Sequence, residues 1–216
     1  LLSNSESSAT RRDAVDLLAE MRREPRIDGA LRKLLEDEDL EVRLAAYEGL
    51  ARRGDPIIRR FAIRRPSGRM KFVLDVVESE KPLIYVTQVG MPRIAIFGEQ
   101  LLIEPPLLVS AWDGRFMAQA SEGDEEVEVY YRDSRSGERL IELAPRRMDE
   151  FVQFLAHSTT VEQPEAGLGL SYAETVGALY QMWRQNALAV DFRAEQDRFQ
   201  AAILQLLYEQ GFTGDA

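Results

Sequence analysis

The sequence has no cysteine and only one histidine in 216 residues. The lack of cysteine excludes disulfide frameworks, thiol catalysis and cysteine-based zinc sites. A single histidine also argues against a histidine-based metal site and against a Ser-His-Asp triad. No apolar run approaches the roughly 18 residues that a transmembrane helix needs, so we expect no membrane span. The composition therefore argues against an enzyme, and we predict no catalytic residue, no metal and no cofactor.

Charge is unevenly distributed along a chain whose net charge is −10. Acidic residues predominate after residue 70, whereas residues 52–71 are rich in arginine and contain a single acidic residue, Asp55. We therefore predict an interaction patch formed by Arg52, Arg53, Arg59, Arg60, Arg64, Arg65 and Arg69. Such a block can bind phosphate or an acidic protein surface through electrostatics that do not depend on sequence.

In the alternative interpretation, this basic block is a solvated linker and strand edge whose side chains face water. Few aromatic residues lie nearby to stack on nucleic acid bases. The acidic overall balance also argues against a dedicated nucleic acid binder. We therefore expect protein partners, self-association among them, and no specific nucleic acid.

Residues 10–56 have the hydrophobic period of helices. Apolar residues recur at helical spacing in three stretches, which Pro25 and the acidic run 36–39 separate. Asp39 is placed to cap the third helix, and Gly54 is placed to end it. The sequence therefore predicts three short helices.

The third of these helices resembles the second helix of a HEAT-type repeat. The resemblance rests on the spacing of Asp39, Val42, Arg43, Ala46 and Leu50, followed by Gly54-Asp55-Pro56. HEAT repeats bury their apolar faces only against neighbouring repeats. We count one full repeat and the trailing helix of another, so we expect the stack either to continue in a longer protein or to dock on the residues that follow.

Residues 57–144 change to a period of two, which is typical of strands. The predicted strands are 71–77, 83–87, 93–97, 107–112, 115–119, 126–131 and 139–143. Asp113-Gly114 is the strongest hairpin signal in the chain. Because no long helix separates the runs, we predict a mainly antiparallel sheet of six to seven strands. Asp75 is expected on the surface of its strand.

Residues 145–216 return to helical spacing. Pro145 is predicted to open one helix, and residues 171–174 form a capping box before another. A last amphipathic helix is predicted at 195–210, and residues 188–192 are a candidate edge strand. The C-terminal helices are expected to pack on the sheet.

The fold class that follows is α+β: N-terminal HEAT-like helices, then a mainly antiparallel sheet packed with C-terminal helices. The predicted organisation is a disordered leader at 1–9, a HEAT-like helical segment at 10–56 and an α+β domain at 57–216. Within that domain the strands occupy 57–144 and the helices 145–216.

The apolar strings 72–87 and 91–98, with the later helix at 171–176, resemble the C-terminal extension of planctomycete-type flagellar basal-body P-ring protein homologues. In that family HEAT-like helices also precede a strand-rich module. The resemblance implies a non-enzymatic envelope protein that forms a ring around the flagellar rod, and a periplasmic location. We therefore favour a structural or protein-interaction module of a larger bacterial protein.

Two other function classes remain open on the sequence. A small-ligand or nucleotide-binding regulatory domain would use a pocket between the sheet and the C-terminal helices, with Arg93, Trp112 and Arg184 converging. An acid hydrolase would need two facing carboxylates.

The acidic run 122–126 is interpreted as a solvated turn rather than a cation site. His157 is interpreted as a helix C-terminal residue that interacts with the helix dipole.

Overall fold

The computed structural model describes residues 8–88, 90–134 and 136–195. The helices are α1 Ser8–Glu20, α2 Pro25–Leu34, α3 Leu40–Arg53, α4 Met148–Ala156 and α5 Tyr172–Arg184. The strands are β1 Ile58–Arg64, β2 Met70–Val77, β3 Leu83–Thr87, β4 Arg93–Phe97, β5 Leu107–Ala111, β6 Phe116–Ala120, β7 Glu126–Arg132, β8 Arg139–Pro145 and β9 Asp191–Ala194. Apart from its first residue, the helix predicted at 195–210 lies outside the described residues.

The N-terminal segment contains the three predicted helices. Asp39 caps α3 by accepting a hydrogen bond from the Glu41 amide at 2.9 Å, and Gly54 ends the helix in a left-handed conformation with φ 61°. Both predictions are confirmed. The first helix already begins at Ser8, within the predicted leader, and residues 1–7 lie outside the described part of the chain.

Close packing of α1 on α3 depends on Gly49. A Cβ atom at this position would stand 2.7 Å from the Cβ of Ala19, closer than side-chain carbons approach each other. Arg53 adds a second link, because its guanidinium donates to the carbonyl oxygens of Ala19, Met21 and Arg22, which end α1. The three helices therefore form one tightly packed stack.

The strands form two sheets, so the prediction of one sheet with six to seven strands is wrong. One sheet has the order β1-β2-β4-β3-β9, and the other has the order β5-β6-β7-β8. Neighbours in the second sheet are all antiparallel, whereas β2 and β4 are parallel, as are β3 and β9. The alternating pattern identified the seven predicted strands, but it cannot say which strands pair. It also missed β1, whose arginines we interpreted as a patch or linker.

The five-stranded sheet is covered on both faces. Its Val77, Leu83, Tyr85 and Phe97 pack with the buried residues of α1, α2 and α3 in one apolar cluster. The opposite face, which includes Phe72, packs with the inner face of the four-stranded sheet and with α4 and α5 in a second cluster. The helical stack therefore docks on the sheet that follows it, one of the two arrangements expected from the sequence.

Up to residue 195 the C-terminal part has the predicted elements, with two boundaries shifted. Pro145 is the last residue of β8, and α4 begins at Met148. The capping box is confirmed, since the Ser171 hydroxyl accepts from the Glu174 amide and the Glu174 side chain accepts from the Ser171 amide. An edge strand is present as β9, slightly later than predicted. None of the described helices combines the length and hydropathy needed to cross a membrane.

We expect Gly49→Ala to destabilise the protein by about 1–3 kcal/mol, because the added methyl group overpacks the contact between α1 and α3. The matched control is Gly29→Ala in α2, where no atom lies within 4 Å of the new Cβ. The control should be neutral or stabilising by roughly 0.5–1 kcal/mol, since alanine favours the helix. Urea unfolding measures both. Equal effects of the two substitutions would contradict the packing described here.

Candidate interaction site

The predicted arginine patch does not form one surface. Arg53 is buried, with 6% of its surface exposed. Besides the three carbonyl oxygens at the end of α1, its Nε atom contacts the Asp28 carboxylate at 2.6 Å. This arginine therefore holds the helices together and is not accessible to a partner.

Arg60 lies at the surface, with its side chain 40% exposed, and its guanidinium contacts Asp75, the most important polar residue that the sequence interpretation misplaced. Asp75 is 0% exposed, so its expected surface position is wrong. Its carboxylate accepts from the Tyr47 hydroxyl at 2.8 Å, from Arg60 Nε at 2.8 Å, and from Arg93. These donors come from α3, β1 and β4, so one carboxylate joins the helical stack to two neighbours of β2.

The register explains why the arginines reach Asp75. Arg60 is its direct partner on β1, and Ala95 is its partner on β4, which places Arg93 two residues away on the same face. Two guanidinium groups and a hydroxyl neutralise and saturate a carboxylate that would otherwise be costly to bury. Burial, with the adjacent Asp75 charge, raises the pKa of Tyr47 well above its usual value.

Two other patch arginines have acidic partners at the surface. Arg52 reaches Asp16 at 3.4 Å, an exposed contact that links α3 to α1. Arg59 lies 3.3 Å from Glu99 and 4.0 Å from Asp149. The pairs Arg52–Asp16 and Arg59–Glu99 are exposed and contribute little to stability, whereas Asp149 is buried. Together these carboxylates partly neutralise the charge of both arginines.

Arg64, Arg65 and Arg69 remain, and they lie together at the turn between β1 and β2. All three are exposed, and none has an acidic partner among the described residues. The turn is closed by the Arg65 amide, which donates to the Arg69 carbonyl at 2.8 Å, and Gly68 adopts φ 78° within it. We call residues 64–69 the basic turn. It is the part of the predicted patch whose charge is available to a partner.

The second hypothesis placed a ligand pocket at Arg93, Trp112 and Arg184, and the structure does not bring these residues together in a cavity. Arg93 binds Asp75, while Trp112 packs on Phe116 with ring centroids 5.5 Å apart. Arg184 lies over the ring of Tyr180 at the surface. Each of the three side chains is therefore engaged in a separate local contact.

Lys71 is a structural residue that the sequence interpretation missed. Its Nζ atom donates to the carbonyl oxygens of Ala156, Gly169 and Leu170 at 2.6, 3.0 and 3.1 Å, and it lies 3.3 Å from Ser158 Oγ. It borders an open cleft of about 630 Å³ at the start of α5. Burial lowers its pKa. An ammonium group with this many oxygen contacts ties the α4–α5 connection to β2 and has little capacity left for a ligand.

The remaining polar candidates are surface features. In the acidic turn before β7, Asp124 accepts from the Ser121 amide at 2.6 Å. His157 follows α4, and its Nε2 atom lies 3.4 Å from the Gln163 carbonyl oxygen. Across the described residues, acidic and histidine side chains do not gather in a group of three that suits a metal ion.

Comparison with known proteins identifies one similarity. Residues 1–60 match the family model of HEAT repeats, which agrees with the three stacked helices. The match covers 60 of the 216 residues, so it describes the helical segment and not the sheets. No curated protein and no solved structure matches the chain.

We expect Asp75→Asn to destabilise the protein by about 1.5–3 kcal/mol, because Arg60 and Arg93, which are only partly buried, lose their charged hydrogen-bond acceptor. Asp13→Asn is the control: it removes an equal charge from a side chain that is 72% exposed, and it should change stability by less than about 0.5 kcal/mol. Urea unfolding at neutral pH compares them. A loss below about 1 kcal/mol for Asp75→Asn would contradict this role.

The raised pKa of Tyr47 also predicts a pH dependence. Below pH 10.0, the ordinary pKa of tyrosine, its hydroxyl is protonated in the folded and unfolded chains alike. Above that pH the unfolded chain loses the proton and the folded chain keeps it, so stability falls as pH rises, by up to about 1.4 kcal/mol per pH unit. Tyr47→Phe should weaken this dependence between pH 10 and 11 in urea unfolding, after an initial loss of about 1 kcal/mol at neutral pH. Identical slopes would contradict the prediction.

Proposed function

We propose that the chain is a non-enzymatic structural or protein-interaction module of a larger bacterial protein. The observation that carries this proposal is the HEAT-repeat match over residues 1–60, together with the docking of those helices on the five-stranded sheet. HEAT repeats are extended surfaces that bind other proteins, and each repeat contacts its neighbours along the stack. In this chain the sheet takes the place of the next neighbour.

The outer side of α1 is a second feature that favours protein contacts. Leu17 of α1 is 64% exposed, and Met21, the residue after the helix, is 50% exposed, whereas Val15 and Ala19 of α1 are buried against the stack. Large apolar side chains on the free side of a repeat helix suit a further protein surface.

The basic turn supplies the charge of the proposed contact. Arg64, Arg65 and Arg69 project from one end of the five-stranded sheet, and the protein itself provides them with no carboxylate within the described residues. Unpaired charges at a surface accelerate and orient binding to an oppositely charged partner. We infer that the partner presents an acidic protein surface.

The resemblance to planctomycete-type P-ring homologues favours an envelope location for this module. Its support is the order of HEAT-like helices and strands, with the strings 72–87 and 91–98 falling on strands of the five-stranded sheet. We propose that the larger protein belongs to the flagellar basal body and lies in the periplasm.

Site-specific photocrosslinking in the native cell tests the interaction. A photoreactive residue in place of Ser67, within the basic turn, should give a protein adduct. Arg64→Glu, Arg65→Glu and Arg69→Glu combined should reduce the adduct at least 10-fold, because the contact becomes repulsive. Thermal stability should stay unchanged, since these side chains have no acidic partner in the described chain.

The control makes the same charge change at Arg22, Arg23 and Arg26, which are exposed near the start of α2. It should leave the adduct intact. A protein adduct that persists after reversal of the basic turn, or no protein adduct at all, would contradict the proposed contact.

Fractionation of basal bodies tests the location. We expect the larger protein to be enriched with purified basal bodies and in the periplasmic fraction. Recovery in the cytoplasmic fraction alone would contradict the relationship to P-ring homologues. It would not contradict the contact of the basic turn, which the crosslinking experiment tests separately.

A further inference from the structure

The outer face of the four-stranded sheet carries large apolar side chains that no described part of the chain covers. Leu108 of β5 is 67% exposed, and Ile141 and Leu143 of β8 are 65% and 57% exposed. Met117 and Tyr130, each partly exposed, lie in register with Ile141, whereas Leu108 and Leu143 lie at the two sides of the next row, which also contains Gln119 and Glu128. Neighbouring residues of the same strands point inward and are buried. A contiguous apolar set on one sheet face is a mark of an interaction surface.

Charge on this face changes sign along the strands. On β7 the outward residues run from Glu126 and Glu128, through Tyr130, to Arg132. The antiparallel β8 places Arg139 directly beside Arg132. The face is therefore acidic at one end, where Leu108 and Leu143 flank the row of Glu128, apolar in the next row at Met117, Tyr130 and Ile141, and basic at the other end.

The basic end borders the β7–β8 turn, in which Asp133 and Glu138 lie next to Arg132 and Arg139 in sequence. Arg132 and Arg139 are both exposed, and neither has an acidic partner within the described residues. Like charges directly opposite each other on neighbouring strands are unfavourable. At the other end, Glu126 has no ion pair in the described chain either. Seven residues of β7 separate the two ends, about 20 Å at ~3.4 Å per residue, so they cannot neutralise each other within one copy.

We propose that this face binds the same face of a second copy of the chain, as a two-fold symmetric dimer. A two-fold axis across the strands reverses their direction, so the acidic end of each copy meets the basic end of the other. The apolar middles then meet each other. A surface that is complementary to itself in this way is the condition for an isologous dimer, which closes at two copies.

The size of the face sets the expected strength. Four strands at ~4.8 Å spacing and about seven residues give a face of roughly 20 by 20 Å. Two such faces bury about 800 Å² in total, less than a standard specific interface, so we expect a weak dimer with a dissociation constant in the upper micromolar range. The dimer uses none of the residues of the basic turn, and it stands or fails independently of the function proposed above.

Sedimentation equilibrium of the 216-residue chain from about 5 to 500 µM tests the dimer. The wild-type chain should pass from monomer to dimer and stop there. Ile141→Glu should raise the dissociation constant at least 10-fold, because it places a charge in the apolar middle. The control, Val161→Glu, introduces the same group at a residue that is 95% exposed outside this face, and it should leave the constant unchanged.

Charge exchange tests the symmetry without touching the apolar middle. One double variant carries Glu126→Arg and Glu128→Arg, and the other carries Arg132→Glu and Arg139→Glu. Each double variant alone should be monomeric at concentrations where the wild type is a dimer, since its two ends carry the same sign. Mixing the two variants should restore a dimer, with circular dichroism confirming that both are folded.

Four results would overturn the proposal, and the first three concern the dimer itself. These are a wild-type chain that is monomeric at about 500 µM, an association that Ile141→Glu does not weaken, and double variants that fail to pair on mixing. Species that grow beyond the dimer would also overturn it, because a two-fold interface closes at two copies.

Discussion

A carboxylate buried in the middle of a sheet must be neutralised and fully hydrogen-bonded, and Asp75 imposes this requirement on the whole molecule. Its three donors come from separate elements: Tyr47 from α3, Arg60 from β1 and Arg93 from β4. The carboxylate is satisfied only when α3 lies over β2 and when β1 and β4 flank it. The docking of the helical stack and the strand order of the five-stranded sheet therefore depend on the same group.

The helical segment shows how a short repeat stack can end without another repeat. The inner side of the stack packs on Val77, Leu83, Tyr85 and Phe97 of the sheet, which supply the apolar surface that a following repeat would supply. The outer side keeps apolar residues of α1 exposed. The sheet itself is sandwiched, because the four-stranded sheet and the two later helices cover its other face. The proposed partner contacts therefore lie on the outer helix, the basic turn and the outer face of the four-stranded sheet.

Local features of the sequence predicted local structure such as the helix caps, but they could not predict which distant residues contact each other. The caps at Asp39, Gly54 and Ser171 act within one turn of helix, so their neighbours in sequence suffice to identify them. Strand order depends instead on residues far apart in the chain. From Phe72 to Val77, β2 is apolar except at Asp75, a pattern typical of a strand covered on both faces. The same limit applies to the arginines. The seven arginines of the predicted patch have similar sequence surroundings but four different roles. One is buried between helices, one binds Asp75, two pair with carboxylates at other sites, and three form the basic turn. Only their contacts with residues far away in the chain distinguish these roles.

The central claim is that the helical stack and the five-stranded sheet form one cooperative unit held through Asp75. Native-state hydrogen exchange tests it most directly, by comparing the free energy of opening for amides in the middle of α3 with that for amides in β2. We expect the two values to agree within about 1 kcal/mol and to fall together in Asp75→Asn. Amides of α3 that exchange through a separate opening, several kcal/mol easier than that of β2, would show that the helices unfold independently and would contradict the claim.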